Sequence, residues 1–304
     1  MSGGRHSTFV ISLTPFTEDG ELDEAGLRAH LGRLRASGIG VYLAGSGSGE
    51  GYTLTRAERR RVLEVGAEEL AGAVPVRAMG VEPRTAAEVI ELAEDAVAAG
   101  VDATQVYSLD LGHGYLPTAD EQRAFLRTVL DRAPGDLVLS THPSVGYHYE
   151  PALLDEVLTE YPHVIGVNAT HRDLVYVAEV VDTVNGRVDV HVGGPMHALG
   201  ATALGATGYL SSEGNLAPRL CVAVIEHIDR GDRDRAAHSH GHVIELHEAT
   251  QALGGIVGAK AALRLLGAPG GWPRPPRLPV APERAQSLVD VLVRLGVASS
   301  EGLR

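Results

Sequence analysis

The stretch GVYLAGSGSGEGYTLTRAE, residues 40–58, contains one complete strand–loop–helix unit. Residues 40–44 form a continuously apolar run, which is typical of a parallel strand that is covered on both faces. A loop of alternating glycine and serine follows, and Thr55 and Glu58 then have the spacing of a capping box, which indicates the start of a helix. This order predicts one β/α repeat.

Similar apolar runs occur along the chain, and each is followed by a helical pattern. We predict strands at residues 9–13, 40–44, 74–80, 103–107, 137–141, 164–168, 188–192 and 208–211. Thr85 with Glu88 and Thr118 with Glu121 repeat the capping-box spacing. Because strands and helices alternate throughout, an α/β fold of the closed (β/α)8 TIM barrel type is favoured over an open doubly wound sheet.

Further helical patterns follow the last predicted strand, at residues 233–252, 257–266 and 282–295. A proline- and glycine-rich connector at residues 268–282 separates the last two. We therefore expect residues 1–230 to form the barrel. Residues 231–304 are expected to form a C-terminal helical extension packed on it, not an independent domain.

Composition narrows the classes of partner. The 304 residues carry a formal net charge of −13, which argues against binding to nucleic acid or to an anionic membrane surface. The long uncharged stretch at residues 192–212 is interrupted by glycine and serine, so we interpret it as barrel interior and not as a membrane span. Cys221 is the only cysteine, and the first residues lack an apolar signal core, so a cytoplasmic location is expected.

In barrels of this type the site lies at the C-terminal ends of the strands. That rule selects two groups of residues. Candidate catalytic residues are Tyr107, Ser140, His142 and Asn168, and candidate pocket-lining residues are Asp110, His171, Gly193 and Glu213. Because Ser140 and His142 are two apart on a strand, they face the same way, and His142 is a plausible acid–base group. The alternative is that His142 is a loop histidine without a role.

The loop at residues 45–50 predicts an anion site. Its glycines let the backbone approach an anion closely, and Ser46 and Ser48 add hydroxyl donors, so a carboxylate or phosphate would fit. A flexible turn is one alternative. A dinucleotide fingerprint is another, but it fits poorly because the next helix begins only after Thr55.

Several short motifs occur in order and at familiar spacing. They are Thr14-Pro15-Phe16, Asp19-Gly20, the Gly45–Glu50 loop with Leu54 and Glu58, Pro143, Gly166-Val167 and Arg277-Leu278-Pro279. On these residues the chain resembles the dihydrodipicolinate synthase / N-acetylneuraminate lyase family from about residue 8 to residue 295. The resemblance implies a (β/α)8 barrel, usually a homotetramer, that acts on pyruvate or a related small 2-keto acid. We accordingly expect a homo-oligomer, either a tetramer or a dimer.

The resemblance also implies roles for individual positions. Ser46, Gly47, Ser48 and Glu50 form the loop that resembles the family's carboxylate-binding loop. A lysine at the end of strand six would form an imine, and a tyrosine on strand five would relay protons. Here those positions carry Asn168 and Ser140 instead. An amide nitrogen is conjugated with its carbonyl and cannot form an imine, so we expect catalysis without one.

The remaining routes to an imine or to a cofactor are weak. Lys260 is the only lysine and lies in a predicted helix far past the last strand, so we interpret it as structural. A metal could stabilise an enolate, but the candidate ligands come from separate loops without local ligand spacing. His238, His240 and His242, with His247 nearby, are interpreted as a solvated helix away from the barrel mouth. We expect no metal and no cofactor.

Two functions remain open. The chain is either an enzyme that binds a 2-keto acid or similar carboxylate and uses hydrogen bonds and acid–base groups, or a barrel without catalysis that serves as a ligand sensor or partner subunit. The first follows from the anion loop, and the second from the replacement of lysine and tyrosine.

Overall fold

The computed structural model describes residues 6–142 and 148–303. Within them, eight parallel strands close into a barrel in chain order, and β1 pairs with both β2 and β8. The strands are β1 (Ser7–Ile11), β2 (Gly40–Leu43), β3 (Val76–Ala78), β4 (Ala103–Tyr107), β5 (Asp136–Thr141), β6 (Val164–Ala169), β7 (Asp189–Gly193) and β8 (Gly208–Ser211). The predicted (β/α)8 barrel is confirmed, although β3 is shorter than residues 74–80 because Pro75 and Gly80, at φ +68°, bound it.

Helices cover the outside of the barrel. They are α1 (Glu24–Ser37), α2 (Arg56–Leu70), α3 (Ala86–Ala99), α4 (Ala119–Leu130), α5 (Pro151–Glu160), α6 (Leu174–Val184), α7 (Ala198–Ala203) and α8 (Pro218–Asp229). The capping boxes predicted at Thr55, Thr85 and Thr118 are all formed. Each cap satisfies backbone N–H groups that the helix leaves unpaired and typically contributes about 1 kcal/mol.

Four further helices follow the barrel, α9 (Arg233–Gln251), α10 (Ile256–Leu265), α11 (Pro282–Arg294) and α12 (Val297–Ser300). Their buried apolar side chains form one cluster with Leu13 and Leu216 of the barrel. The Glu301 carboxylate accepts a hydrogen bond of 2.8 Å from the Arg219 backbone at the start of α8. None of the helices within residues 6–142 and 148–303 combines the length and the hydrophobicity that a membrane span needs.

The interior of the barrel is unusually polar. Phe9, Tyr42, Met79, Tyr107 and Leu210 form a small buried cluster there. In neighbouring strands, however, register pairs Tyr107 with Ser140, Ser140 with Asn168 and Asn168 with His191, so these side chains share one level and one face. A belt of polar groups therefore crosses the core where an aliphatic layer is usual.

Candidate active site

Asn168 lies at the centre of this belt, near the C-terminal end of β6, and is 1% exposed. Its Nδ2 donates to the Tyr42 hydroxyl at 3.1 Å and to Gln105 Oε1 at 2.6 Å. Oδ1 has no hydrogen-bond partner among the described residues. The amide is therefore held in place by β2 and β4, with one polar atom uncommitted.

A charged side chain lies beside it. Arg77 of β3 is 7% exposed, and its NH1 donates to the same Tyr42 hydroxyl at 3.1 Å. The guanidinium carbon is 4.4 Å from the centre of the Phe9 ring. Arg77, Tyr42 and Gln105 were not among the predicted site residues. The available signal was the presence of charged and amide side chains inside otherwise apolar strands, where such groups are rarely fully buried without a purpose.

Tyr107 ends β4, Ser140 lies in β5, and His142 follows the last residue of β5. Ser140 and Tyr107 are buried. Burial, together with the charge of Glu82, raises the pKa of the Tyr107 phenol, so the group is protonated at neutral pH. Burial lowers the pKa of His142 against the opposing effect of Glu82, which favours the neutral imidazole. Pro143, part of the motif that follows Ser140, lies outside the described residues.

The glycine–serine loop follows β2 at the same end of the barrel. Ser46 is half-buried, Gly47 is exposed and Ser48 is buried. The loop closes tightly, with the Gly51 N–H donating to the Gly45 carbonyl at 3.0 Å, and a Cβ at Gly51 would lie 2.3 Å from the Ala44 carbonyl oxygen. Ala44 has φ of 56°, a left-handed conformation that is uncommon for a residue with a side chain.

The prediction that Glu50 helps to bind the substrate carboxylate requires correction. Its carboxylate is fully buried and forms an ion pair with Lys260, and Oε1 accepts from the Arg274 backbone at 3.0 Å. The side chain therefore fastens the loop from behind. It is not available to a substrate carboxylate, which it would in any case repel.

The Lys260 ammonium group has hydrogen-bond acceptors for all three of its protons. Besides Glu50, Nζ donates to the carbonyl oxygens of Thr14 at 2.8 Å and Trp272 at 3.0 Å. These acceptors match the three donors of an ammonium group. Burial lowers the pKa of Lys260 to about 8, with Glu50 acting in the opposite direction. The contacts support its interpretation as structural.

The residues predicted to line the pocket differ in their surroundings. Asp110 is partly exposed and lies 3.4 Å from Arg84. His171 packs edge-on against His148, with ring centres 4.2 Å apart. Gly193 ends β7, and a Cβ there would lie 2.0 Å from Thr170 Oγ1, so the position requires glycine.

Glu213 is buried and contacts His247, which was predicted to lie on a solvated helix away from the barrel mouth. Oε2 accepts from Ser211 at 2.7 Å, while Oε1 accepts from Ser212 at 2.8 Å and lies 2.8 Å from His247 Nδ1. The Glu213 hydrogen bond raises the pKa of His247, against the effect of burial. Glu213, which was predicted to line the pocket, thus positions His247.

The predicted location of the α9 histidines also requires correction. His240 Nε2 lies 2.7 Å from the Pro195 carbonyl, just after β7, and His247 meets Glu213 just after β8. Part of α9 is therefore packed over the C-terminal ends of two strands and is not a solvated helix away from the mouth. Among the described residues, no three His, Cys, Asp or Glu side chains are grouped to hold a metal ion.

Comparison with known proteins gives a consistent result. The dihydrodipicolinate synthetase family matches residues 5–295. The chain is 31% identical to the 4-hydroxy-tetrahydrodipicolinate synthase of Methanopyrus kandleri, covering 95% of this chain and 96% of that protein. It is 30% identical to 4-hydroxy-tetrahydrodipicolinate synthase 1 of Streptomyces coelicolor, covering 95% and 92%. YagE, a prophage protein of E. coli K12 solved in complex with pyruvate, superposes with a TM-score of 0.86 at 26% identity, covering 96% and 99%.

Proposed function

Because this chain belongs to the dihydrodipicolinate synthetase family, we propose that it is a lyase that binds a small 2-keto acid or related carboxylate and acts without a lysine imine. One observation supports the mechanistic part of this proposal, namely that no lysine imine is formed. The only lysine, Lys260, is held by Glu50 and two backbone carbonyls, while an amide, Asn168, occupies the barrel centre. Imine formation needs an available primary amine.

The glycine–serine loop would hold the carboxylate. Ser46 and Ser48 present hydroxyl groups, and Gly47 allows close approach to backbone N–H groups. The complex of YagE with pyruvate, at 26% identity, supports a ligand of this class. Glu50 contributes indirectly, because its ion pair with Lys260 fixes the end of the loop.

The chemistry would proceed through an enolate. In an aldol cleavage, a base removes the proton of the hydroxyl group, the carbon–carbon bond breaks, and its electron pair moves onto the keto acid as an enolate that then takes up a proton. Asn168 donates both of its amide protons to Tyr42 and Gln105, and would thereby hold the Tyr42 hydroxyl, whose own proton would be donated to the enolate oxygen. Neutral His142 is the candidate base, and Tyr107 and Ser140 are candidate proton donors. Dehydration or cyclisation would use the same enolate.

Exchange of the methyl protons of pyruvate in D2O tests this proposal without knowledge of the acceptor. We expect the purified protein to accelerate exchange, followed by NMR, and borohydride with pyruvate to leave the intact mass unchanged. A trapped adduct would overturn the mechanism, and with one lysine in the chain its position is easily assigned. Ser48→Ala should weaken pyruvate binding, and Thr128→Ala, on the exposed side of α4, is the matched control.

The same experiment distinguishes the proposed lyase from a second candidate, a barrel that binds a ligand without catalysis. The Asn168 amide already bonds to Gln105 and Tyr42, which would also suit a barrel that binds without reacting. A rise in melting temperature with pyruvate but no exchange would favour a ligand sensor or partner subunit. From the resemblance we further propose a homo-oligomer, a tetramer or dimer, in the cytoplasm.

A further inference from the structure

Arg77 is a buried cation without a buried anion beside it. The guanidinium is 7% exposed, and no ion pair within residues 6–142 and 148–303 includes it. Its recorded contacts are the Tyr42 hydroxyl and the faces of the Phe9 and Tyr42 rings. A charge removed from water is stabilised only when it is paired and hydrogen-bonded, and these contacts replace a small part of the lost hydration.

Hydrogen-bond donors around Arg77 are also left without acceptors. The Tyr42 oxygen accepts from Arg77 and from Asn168, both at 3.1 Å, so both lone pairs are used and its own proton remains to be donated. Gln105 Nε2 is buried and has no hydrogen-bond partner among the described residues. Two donors of the cluster, the Tyr42 proton and Gln105 Nε2, are therefore uncommitted, against one acceptor, Asn168 Oδ1.

The titratable side chains His191 and Tyr107, which lie near Arg77, do not neutralise its positive charge. Burial lowers the pKa of His191 to about 3, and the charge of Arg77 adds to this effect, so the imidazole is neutral. Burial raises the pKa of Tyr107, which stays a neutral phenol. Ser140 is uncharged at all accessible pH values. The charge of Glu82 acts on Tyr107, but no ion pair between Glu82 and Arg77 is formed among the described residues, so no contacting carboxylate neutralises Arg77.

We propose that Arg77 and Tyr42, with Asn168 holding the Tyr42 hydroxyl in place, form an oxyanion-binding centre, whose ligand is the enolate oxygen of a 2-keto acid or the oxygen from which it develops. This inference rests on the proposed function and deepens it, because it supplies an electron sink where no imine is available. Negative charge grows on that oxygen as the enolate forms, so a fixed cation and a neutral hydroxyl donor stabilise the transition state more than the ground state.

Oxalate, a planar dianion that resembles the enolate of pyruvate, is the probe. We expect it to raise the melting temperature of the wild-type protein, while sodium chloride of equal ionic strength does not. Arg77→Met should melt at the same or a higher temperature without ligand, since an unpaired buried cation is removed, and should lose the oxalate shift. Arg127→Met, which removes an arginine from a surface ion pair with Glu156, should keep the shift.

Tyr42→Phe provides a second test if Arg77→Met folds poorly, because it removes only one hydroxyl. We expect its oxalate affinity, measured by calorimetry, to fall about tenfold. An unchanged affinity in Tyr42→Phe, an oxalate shift that persists in Arg77→Met, or no oxalate shift in the wild type would each overturn the inference.

The two proposals fail in different ways. Pyruvate exchange that persists at the wild-type rate in Arg77→Met would overturn the oxyanion centre and leave the proposed function intact. A wild-type protein that binds oxalate through Arg77 but exchanges no pyruvate protons would overturn the proposed function and leave an anion-binding centre.

Discussion

The only lysine of the chain, Lys260 of α10, forms a fully buried ion pair with Glu50, which ends the glycine–serine loop after β2. The two residues are 210 positions apart. Nζ also bonds to Thr14 in the loop after β1 and to Trp272 in the connector after α10. One ammonium group therefore joins the C-terminal extension to two loops at the mouth of the barrel.

Lys260→Met should destabilise the protein strongly. It leaves the Glu50 carboxylate buried, with the Arg274 backbone N–H as its one remaining donor among the described residues, and breaking a buried pair on one side typically costs about 3–5 kcal/mol. Urea unfolding measures the loss. Adding Glu50→Gln should recover part of it, because the uncompensated charge disappears. Arg127→Ala, which breaks an exposed pair, should cost less than about 1 kcal/mol. A similarly small loss for Lys260→Met would refute a structural role.

The Glu213–His247 pair should make stability depend on pH. The folded-state pKa of His247 is raised by Glu213, so its contribution is complete below the unfolded-state pKa and is lost as pH rises through the folded value. The pKa of Glu213 is lowered overall, because the hydrogen bonds from His247 and Ser211 together outweigh burial, so its contribution is lost as pH falls through the folded value. Stabilisation is therefore complete between the unfolded-state pKa of Glu213 and that of His247, and it declines outside this window.

NMR titration tests this directly, with His247→Gln identifying the resonance. We expect the His247 midpoint to lie above 6.5 in the wild type and to fall in Glu213→Gln, where the neutral amide no longer favours the imidazolium while burial still opposes it. The difference in unfolding free energy between wild type and His247→Gln should also be larger at pH 6 than at pH 9. A midpoint that does not respond to Glu213→Gln would contradict the pairing.

Local signals predicted the fold well. The capping box of Thr55 and Glu58 depends on residues three apart, and the apolar strand runs are equally local. The neighbourhood of Ser140 and Asn168 also follows from consecutive strands. By contrast, the contact between Tyr42 and Asn168 spans 126 positions and depends on barrel closure.

The contacts of Glu50 and His247 also join residues that are far apart in the sequence, so local patterns could not predict them. A motif read along the chain gave the loop position of Glu50 but not the direction of its side chain, which is decided by a lysine in a distant helix. The pattern of α9 suggested a solvated face because its histidines are polar. Their partners, Pro195 and Glu213, follow strands that precede α9 by many residues. The roles of the candidate site residues remain predictions.

Cys221 should be unreactive in the folded protein. Burial raises the pKa of its thiol to about 12, with only the Ser211 hydroxyl and Tyr209 opposing among its larger contacts. Since the thiolate is the reactive form, an aromatic disulfide reagent at pH 8 should label no thiol in native protein. It should label one per chain in guanidinium, because the chain has a single cysteine. Fast labelling of native protein would show that the wall between β8 and α8 opens readily.

Asn168→Lys should form an imine with pyruvate but should not by itself restore efficient lyase turnover. Burial and the adjacent Arg77 guanidinium both favour the uncharged amine, which is the nucleophilic form, so borohydride should trap an adduct that peptide mapping assigns to residue 168. Proton transfer is then limiting, because β5 carries Ser140 and the Tyr42 oxygen is already bonded to Arg77. Adding Ser140→Tyr should raise pyruvate-dependent turnover by roughly a hundredfold. Asn168→Gln, an amide again, should give no adduct, and robust turnover by Asn168→Lys alone would show that Ser140 does not limit proton transfer.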